Sequence, residues 1–383
     1  MKPALPFTLP APSSERVDVL IIAGEHSGDQ HAAAMLRDLR ASQPSVQVCA
    51  LGGPELSAAG AQLLHDLTAS SVVGLVEVLK NYSYFKGLFD ATLRWIETHR
   101  PRAVCFIDYP GFNLRLAREL HERGLSCKGG GDIRLLFYIS PQIWAWKAGR
   151  RFTMAQHLDA LAVIFPFEVE CYRDTDLDVE FVGHPFLAPG HTSPVRDDPG
   201  GPVLLLPGSR PQAVRRIFPA LLDGYRAAAT GRPAVVLYPS DAIRTVLESA
   251  RPPDSVEFRR GEGETLGASA VLTSSGTMSM HCALAGIPGA IAYRANPLTY
   301  WIGRYLVKVP YLGIANLILR EPMYPEYLQD AATPAALAAE LRTCLEDPQR
   351  RERTQIQADR LRAALAHPAR LTAAAWLARQ MEG

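Results

Sequence analysis

Several features that mark common functional classes are missing from this sequence of 383 residues. Its six cysteines are scattered and form no CxxC pair, so neither a zinc knuckle nor a disulfide framework is indicated. It contains no GxxxxGKS or GxxxxGKT segment, which excludes a P-loop nucleotide-binding protein. No run of carboxylates demands a metal ion, so we expect no metal cofactor.

The chain also lacks an excess of charge and a long apolar run. Its 40 basic and 39 acidic residues leave a net charge of +1, which gives no reason to expect a nucleic-acid partner. No uninterrupted apolar segment is long enough to span a bilayer. Residues 1–16 are rich in proline and are predicted to be a flexible tail rather than a signal peptide. These features predict a cytoplasmic protein that can still contact a membrane surface.

What is present is an alternation of short apolar strands with helical segments. The first strand is predicted at Val17–Ala23, and the alternation restarts with a strand at Val203–Leu206. This order predicts an α/β fold with two Rossmann-like domains facing a cleft, followed by C-terminal helices. The predicted divisions are a tail at 1–16, domains at 17–190 and 191–345, and a helical segment at 346–383 that packs back toward the N-terminal domain. Ligands of such sheets bind beyond the carboxyl ends of the strands.

Two strand ends in the second half are suited to a phosphate group. The strand Val203–Leu206 runs into Pro-Gly-Ser-Arg, where Gly208 lets the backbone approach a ligand and Arg210 offers a planar fork. The segment from Ser274 to His281 reads as a strand end, a turn at Gly276 and a helix start, which presents free N–H groups to an anion. For the Pro-Gly-Ser-Arg segment alone, an ordinary turn with a surface arginine is the alternative.

Three carboxylates in the first half are candidates for a general base. Glu25 and Asp29 share one turn after the first strand, and Asp108 stands at the end of another strand. A carboxylate facing a cleft can take a proton from a substrate hydroxyl. The residue types alone favour structural roles, namely a helix N-terminal charge for Asp29 and loop capping for Asp108.

Two aromatic segments allow a structural or a functional interpretation. Trp144 and Trp146 are followed by basic residues, and they either fill a core or belong to a loop that lines the cleft. Tyr82, Phe85 and Phe89 fall near helical spacing beside lysines, which is typical of core packing and also of an interfacial helix on anionic lipid.

At these motifs the sequence resembles the lipid-A-disaccharide synthase family. The segments AGEHSGD, FIDYPGFNLRLA, YISPQIWAWK, FPFE, FVGHP, LLPGSR, SSGT and NLILREPMYPEYLQ occur in the order seen in that family, roughly over residues 17–329. The resemblance implies an inverting GT-B glycosyltransferase. Such an enzyme joins UDP-2,3-diacylglucosamine to 2,3-diacylglucosamine 1-phosphate, and it releases UDP and a β-1,6 disaccharide. It implies a donor substrate, the UDP-sugar, and no cofactor.

The resemblance also assigns expected roles by position. Asp108 matches the essential aspartate, with Glu25 and Asp29 as less favoured bases. The expected nucleotide and phosphate contacts are Gly208, Ser209, Arg210, Ser275, Gly276, Thr277, His281, Asn316, Glu326 and Gln329. The expected acceptor and lipid contacts are Ser27, Gly28, Asn113, Trp144, Tyr82 and Phe85.

Three positions depart from the family pattern. His281 stands where the pattern has a glutamate that resembles the ribose-binding carboxylate of GT-B enzymes. Gly111 replaces the second aspartate of the Asp-x-Pro-Asp-Phe-Asn motif, and Ala213 replaces a glutamate shortly after Pro-Gly-Ser-Arg. Two other readings therefore stay open, namely a divergent paralogue acting on another sugar nucleotide as transferase or epimerase, and a catalytically silent homologue that binds lipid or a partner enzyme.

The resemblance predicts partners as well as chemistry. It implies acylated glucosamine substrates and peripheral association with the inner face of the cytoplasmic membrane, because both substrates carry acyl chains. The sequence leaves the oligomeric state open and is compatible with a homodimer.

Overall fold

The computed structural model describes residues 7–68, 82–261, 264–295 and 309–382. These residues form two compact units, whose described parts lie within residues 1–185 and 367–383 for the first and within residues 186–366 for the second. Each unit is built on a wholly parallel sheet with helices connecting its strands. The two Rossmann-like halves predicted from the strand–helix alternation are therefore confirmed.

The first unit contains a seven-stranded sheet in the order β3-β2-β1-β4-β5-β6-β7. Its central strands are buried along their whole length, as expected for parallel strands that are covered by helices on both faces. The strands are β1 Val19–Ala23, β2 Val48–Gly52, β3 Gln62–Asp66, β4 Ala103–Ile107, β5 Arg134–Tyr138, β6 Ala160–Val163 and β7 Asp178–Phe181.

Six described helices and several short 3₁₀ turns complete the first unit. The apolar faces of Tyr82–His99, Pro110–Glu122 and Arg150–His157 pack on the sheet in a core that includes Leu20, Phe106 and Phe137. The helices are α1 His26–Ser42, α2 Pro54–Ala58, α3 Tyr82–His99, α4 Pro110–Glu122, α5 Arg150–His157 and, from the C-terminus, α12 Ala373–Glu382; the 3₁₀ helices are Cys127–Gly129, Pro166–Tyr172 and Pro185–Leu187, the last straddling the division between the units.

The second unit contains a six-stranded sheet in the order β11-β10-β9-β13-β14-β15, with a separate pair formed by β8 and β12. Counted from β9, the six-stranded sheet has the strand order 3-2-1-4-5-6 of a dinucleotide-binding fold. The strands are β8 Val195–Asp197, β9 Val203–Leu206, β10 Ala234–Tyr238, β11 Val256–Arg260, β12 Leu266–Ala268, β13 Ala270–Thr273, β14 Gly289–Tyr293 and β15 Glu326–Leu328.

In the second unit, Pro211–Ala228, Asp241–Glu248 and Pro334–Glu346 pack on the sheet and form a core around Leu205, Phe218 and Leu272. The helices of this unit are α6 Pro211–Ala228, α7 Asp241–Glu248, α8 Thr277–Leu284, α9 Ile314–Leu319, α10 Pro334–Glu346 and α11 Pro348–Leu365, with a 3₁₀ turn at Gln329–Ala331. None of the helices in the described ranges is both long and apolar enough to cross a bilayer.

The N-terminal segment differs from the flexible tail predicted for residues 1–16. Phe7 packs edge-to-face on His65 with ring centroids 5.0 Å apart. The indole N–H of Trp95 donates to the carbonyl oxygen of Pro10 at 2.9 Å, and the Ser13 N–H donates to the Gln62 side chain at 2.7 Å. Residues 7–13 are therefore fastened to the first unit, because apolar contact and side-chain hydrogen bonds compensate for the lost chain entropy.

The domain division also differs in part from the sequence-based one. The second unit begins at Phe186 rather than 191, and α11 belongs to it rather than to a separate C-terminal segment. Only residues 367–383 return to the first unit, where the Arg134 guanidinium donates to the Gln380 side-chain oxygen at 3.0 Å. The hydrophobic pattern of a helix shows that one face is buried but does not show which unit buries it.

Candidate functional site

The first candidate site lies at the carboxyl ends of β1 and β4, where the strand order of the first sheet reverses. Gly24 follows β1, and Asp108 and Tyr109 follow β4. Both Asp108 and Tyr109 have left-handed backbone angles, with φ of 43° and 48°. A Cβ atom on Gly24 would lie 2.2 Å from Cδ1 of Tyr109, so only glycine allows these two loops to meet. The strained turn therefore places the half-buried Asp108 at the topological switch point.

Asn113 is a buried side chain that hydrogen-bonds the backbone at this switch point. It is fully buried, and its side-chain N–H groups donate to the carbonyl oxygen of Asp108 at 2.8 Å and to that of Ile22 at 3.4 Å. It thereby links the ends of β1 and β4. Asn113 was predicted to contact the acceptor, but it is fully buried and binds backbone carbonyls. It therefore acts as a positioning residue for Asp108.

Asp29 has a structural role that excludes it as a general base. It is fully buried and accepts the backbone N–H groups of Gly53 at 2.8 Å, Glu55 at 3.0 Å and Leu56 at 3.3 Å. Its carboxylate thus caps the first turn of α2, where the helix leaves N–H groups without partners. The prediction that Asp29 is a possible general base is therefore wrong.

The remaining residues of the β1 loop stay near the switch point. Glu25 is the half-buried residue that precedes α1, and Ser27 lies in the first turn of that helix. A Cβ on Gly28 would lie 3.7 Å from Cγ2 of Ile107, so α1 begins in contact with the end of β4. Glu25 and Ser27 therefore remain candidates for contact with a substrate bound at Asp108.

Sequence reasoning missed a buried carboxyl group next to this site. Glu168 lies in the 3₁₀ turn after β6, and it is 1% exposed. One of its oxygens accepts the indole N–H of Trp144 at 3.2 Å, and the other accepts the Phe165 N–H at 3.2 Å. Trp144 is half-buried in the loop after β5, so Glu168 anchors that loop. The only signal in the sequence was a glutamate inside the apolar segment FPFE.

Burial raises the pKa of the Glu168 carboxyl to about 8. The hydrogen bonds from Phe165 and Trp144 oppose this rise, and the charge of nearby Asp108 adds to it. Glu168 is accordingly protonated at neutral pH, as expected for a carboxyl group that is removed from water. The site thus keeps one neutral carboxyl group close to the carboxylate proposed as the base.

The second candidate site lies at the corresponding reversal in the second sheet, between β9 and β13. Gly208 follows β9 with φ of +107°, and a Cβ there would lie 3.1 Å from the Ser274 hydroxyl oxygen. The Ser274 N–H donates to the carbonyl oxygen of Leu206 at 2.8 Å. The two segments predicted to bind phosphate are therefore adjacent at the switch point of the second sheet.

Two helices begin at this place. Arg210 is the exposed residue that precedes α6, and Gly276 precedes α8, where Gly276 and Thr277 are exposed and Ser275 is half-buried. Ser209 is exposed in the turn between β9 and α6. The first N–H groups of a helix carry partial positive charge, so two such termini beside a guanidinium suit a diphosphate.

His281 has a partner that the sequence did not suggest. Its ring is 7% exposed and lies against Phe186, with centroids 3.8 Å apart and planes 28° apart. The His191 ring stacks on the same pair, 5.4 Å from that of His281. The faces of the His281 ring are therefore used for stacking inside the second unit. The ribose role of His281, which would use a ring nitrogen, stays a prediction.

Asn316 is fully buried and forms a hydrogen-bond network with the half-buried Glu326. Their contacts with the nucleotide stay predictions. The Asn316 amide donates to Glu326 Oε1 at 2.8 Å and to the carbonyl oxygen of Tyr324 at 2.7 Å, and its oxygen accepts the Tyr324 N–H at 2.9 Å. The Glu326 carboxylate also accepts the N–H groups of Leu312 and Gly313. These bonds hold the chain around α9 and give the buried amide of Asn316 its hydrogen-bond partners.

The remaining predicted positions are in varied environments. Gln329 is half-buried and accepts the Ala295 N–H at 3.1 Å. Phe85 is half-buried, and the side chain of Tyr82 lies outside the described residues. A Cβ on Gly111 would meet nothing within 4 Å, whereas Ala213 packs against the core of the second unit.

Comparison with known proteins decides the family. The family model described as lipid-A-disaccharide synthetase matches residues 19–380. The chain belongs to the lipid-A-disaccharide synthetase family. A lipid-A-disaccharide synthase of Nitrosococcus oceani is 35% identical over 353 residues, which cover 88% of this chain and 89% of that protein. The synthase of Geobacter sulfurreducens is 34% identical over 354 residues, with coverage of 88% and 90%.

Solved structures show the same fold at low sequence identity. The spinosyn rhamnosyltransferase with thymidine diphosphate has a TM-score of 0.56 at 14% identity and covers 96% of this chain and 100% of its own. The calicheamicin glycosyltransferase has a TM-score of 0.51 at 15% identity, with coverage of 96% and 97%. These structures show the GT-B fold that the motifs predicted. The family match makes the chain a glycosyltransferase of lipid A biosynthesis.

The contact between Gly24 and Tyr109 generates a first prediction. Gly24→Ala should lower kcat by roughly tenfold or more, because the Tyr109 ring must move and Asp108 precedes it in the same strained turn. Steady-state kinetics measure this change. Gly111→Ala is the matched control, since a methyl group there meets nothing within 4 Å. A parent-like kcat for well-folded Gly24→Ala would show that the position of Tyr109 does not matter for transfer.

The buried Glu168 generates a second prediction. Its pKa is about 8 when folded and near its ordinary value of 4.5 when unfolded, so the native state binds the extra proton between these values. Its contribution to stability is therefore lost as the pH rises through this window. The parent should therefore lose stability relative to Glu168→Gln as the pH rises. The difference in free energy of unfolding, variant minus parent, should increase by up to a few kcal/mol from about pH 5 to about pH 8.

Urea denaturation at both pH values measures this difference. Glu170→Gln is the control, because Glu170 is an exposed carboxylate two residues away and its variant should show little change with pH. A difference that stays constant with pH for Glu168→Gln would mean that Glu168 is ionised in the folded protein.

Proposed function

We propose that this protein transfers the sugar of UDP-2,3-diacylglucosamine to the 6-hydroxyl of 2,3-diacylglucosamine 1-phosphate. The products are UDP and a β-1,6-linked disaccharide that keeps the acyl chains and the 1-phosphate. The proposal rests on the observation that this family member contains two switch points, one in each sheet. One presents Asp108, and the other presents Gly208 and Arg210 beside the start of α8.

In this proposal Asp108 is the catalytic base. Its carboxylate takes the proton from the acceptor's 6-hydroxyl, and the resulting oxygen attacks the anomeric carbon of the donor from the face opposite the diphosphate. The bond between that carbon and the diphosphate oxygen breaks, so the configuration inverts and UDP leaves with the electron pair. Asn113 supports this role, because its bond to the Asp108 carbonyl fixes the backbone that carries the base.

The second unit stabilises the leaving group. Negative charge develops on the diphosphate as the glycosidic bond breaks, and the N-termini of α6 and α8 with the Arg210 guanidinium can compensate it. We propose that no metal ion is needed for this step. Within the described ranges, no group of three or more His, Cys, Asp or Glu side chains is arranged to hold one.

The acyl chains of both substrates place the reaction at a membrane surface. We propose peripheral association with the inner face of the cytoplasmic membrane, where lipid substrates and a water-soluble nucleotide product can meet one enzyme. Self-association into a homodimer stays a prediction, which light scattering during size-exclusion chromatography tests.

A turnover assay tests the proposed reaction. The purified protein is incubated with both acylated substrates in detergent, with and without EDTA, and the products are identified by mass spectrometry and NMR. We expect a β-linked disaccharide and UDP at equal rates in both conditions. An epimerised donor without disaccharide would support the sugar-nucleotide paralogue, and loss of activity with EDTA would contradict the metal-free mechanism.

The phosphate role of Arg210 generates a further prediction. Arg210→Lys keeps the charge but loses the planar fork, so kcat/KM for the donor should fall by about tenfold or more. Arg216→Lys is the matched control, since Arg216 is an exposed arginine on α6. Equal kcat/KM values for parent and Arg210→Lys would exclude Arg210 as a ligand of the diphosphate.

A further inference from the structure

The first unit carries a concentration of exposed apolar side chains. Among the described residues, five large apolar side chains are exposed, and four of them lie between positions 146 and 169. These are Trp146 at 38%, Phe152 at 52%, Phe167 at 41% and Val169 at 38% exposure. An apolar group of this size on a protein surface typically marks a binding surface.

Two segments that contact each other carry these side chains. The loop after β5 carries Trp146 and continues into α5 with Phe152, and the 3₁₀ turn after β6 carries Phe167 and Val169. The Trp144 ring packs edge-to-face on Phe167 at 5.5 Å. Arg151 forms a bidentate pair with Asp174 through bonds of 2.7 and 2.6 Å. These contacts join the loop and α5 to the 3₁₀ turn and the residues after it.

The surface is basic as well as aromatic. The Lys147 ammonium lies 4.5 Å and the Arg150 guanidinium 5.5 Å from the centre of the Trp146 ring. No carboxylate of the described residues lies within 4 Å of either cation. Arg151 and Arg173 are instead paired with Asp174 and Glu170. The unpaired positive charge therefore lies beside the exposed indole.

We propose that this aromatic-basic face, formed by Trp146, Lys147, Arg150, Phe152, Phe167 and Val169, binds the surface of an anionic lipid bilayer. Tryptophan and phenylalanine enter the interfacial region, and lysine and arginine keep their charged ends at the headgroups. Each cation near an anionic leaflet adds to the attraction.

The position of the face agrees with the proposed function, on which this inference rests for its biological meaning. Both segments follow the carboxyl ends of β5 and β6, and β5 pairs with β4, the strand that ends before Asp108. The bilayer contact would thus lie at the same edge of the sheet as the proposed base. An acylated acceptor could then present its hydroxyl to Asp108 while its chains remain in lipid.

The predicted lipid-facing stripe on α3 is a weaker candidate over the described residues. Phe89 packs edge-to-face on Phe112 at 5.5 Å and against the core of the first unit. Phe85 contacts the Tyr84 ring at 5.4 Å, and Tyr84 in turn contacts Phe7. Phe85 and Phe89 are therefore used for packing within the unit.

Vesicle co-sedimentation of the full chain tests the proposal. The parent should bind vesicles of phosphatidylcholine with phosphatidylglycerol more strongly than vesicles of phosphatidylcholine alone. In the double variant Trp146→Ser with Phe152→Ser, binding to the mixed vesicles should weaken by about tenfold or more. Ile356→Ser is the matched control, because Ile356 is 54% exposed on α11 in the second unit, and it should bind as the parent does.

A charge variant separates the basic contribution from the apolar one. Lys147→Gln with Arg150→Gln should lose most of the preference for phosphatidylglycerol and retain the weaker binding to phosphatidylcholine. Both double variants should keep the parent's melting temperature, because the apolar pair is exposed and neither cation has a carboxylate partner. Parent-like binding by the Trp146 and Phe152 variant, or no vesicle binding by the parent, would overturn the proposal.

Two further measurements distinguish this inference from the proposed reaction. Transfer between detergent-dispersed substrates should be the same in the parent and both double variants, so an inactive parent would refute the reaction and leave the vesicle result standing. A change of oligomeric state in the apolar double variant with unchanged vesicle binding would instead identify the face as a protein interface and overturn the membrane assignment.

Discussion

The reversal of strand order in each parallel sheet is the constraint on which the rest of this structure depends. At β1 and β4, and again at β9 and β13, neighbouring strands send their connections to opposite sides. The carboxyl ends between them are consequently left open to a ligand. The strained Asp108 turn occupies one opening, and the Gly208 turn with the start of α8 occupies the other. One topological rule, used twice, thus provides a place for a base and a place for an anion.

Buried polar side chains hold these openings in shape. Asn113 links the ends of β1 and β4, Asp29 caps α2, and Asn316 with Glu326 fixes the chain around α9. Each removes backbone groups from water while giving them a partner, so removing one would leave several groups unsatisfied. Motif residues of a glycosyltransferase therefore need not contact substrate, and a loss of activity after their mutation can arise from a displaced loop.

The chemistry of the first unit combines a charged and a neutral carboxyl group at one sheet edge. Glu168 is kept protonated at neutral pH by burial and anchors Trp144, whereas Asp108 lies half-buried at the end of β4. The loop anchored by Trp144 continues directly into the exposed Trp146 and Lys147. The loop after β5 thus lies next to the proposed base and also carries the residues proposed to contact lipid.

The sequence by itself determined the fold class, the family and the places of both sites. Apolar strands such as Val203–Leu206 and the glycines that follow them are local signals, because parallel strands are buried on both faces and tight turns need positive φ. Only the tertiary structure decided what individual polar residues do. Asp29 and His281 were assigned roles by residue type and position, yet their partners lie far away in sequence, at Gly53 and Phe186. Burial and partner choice are set by packing between distant segments, and no local pattern encodes them.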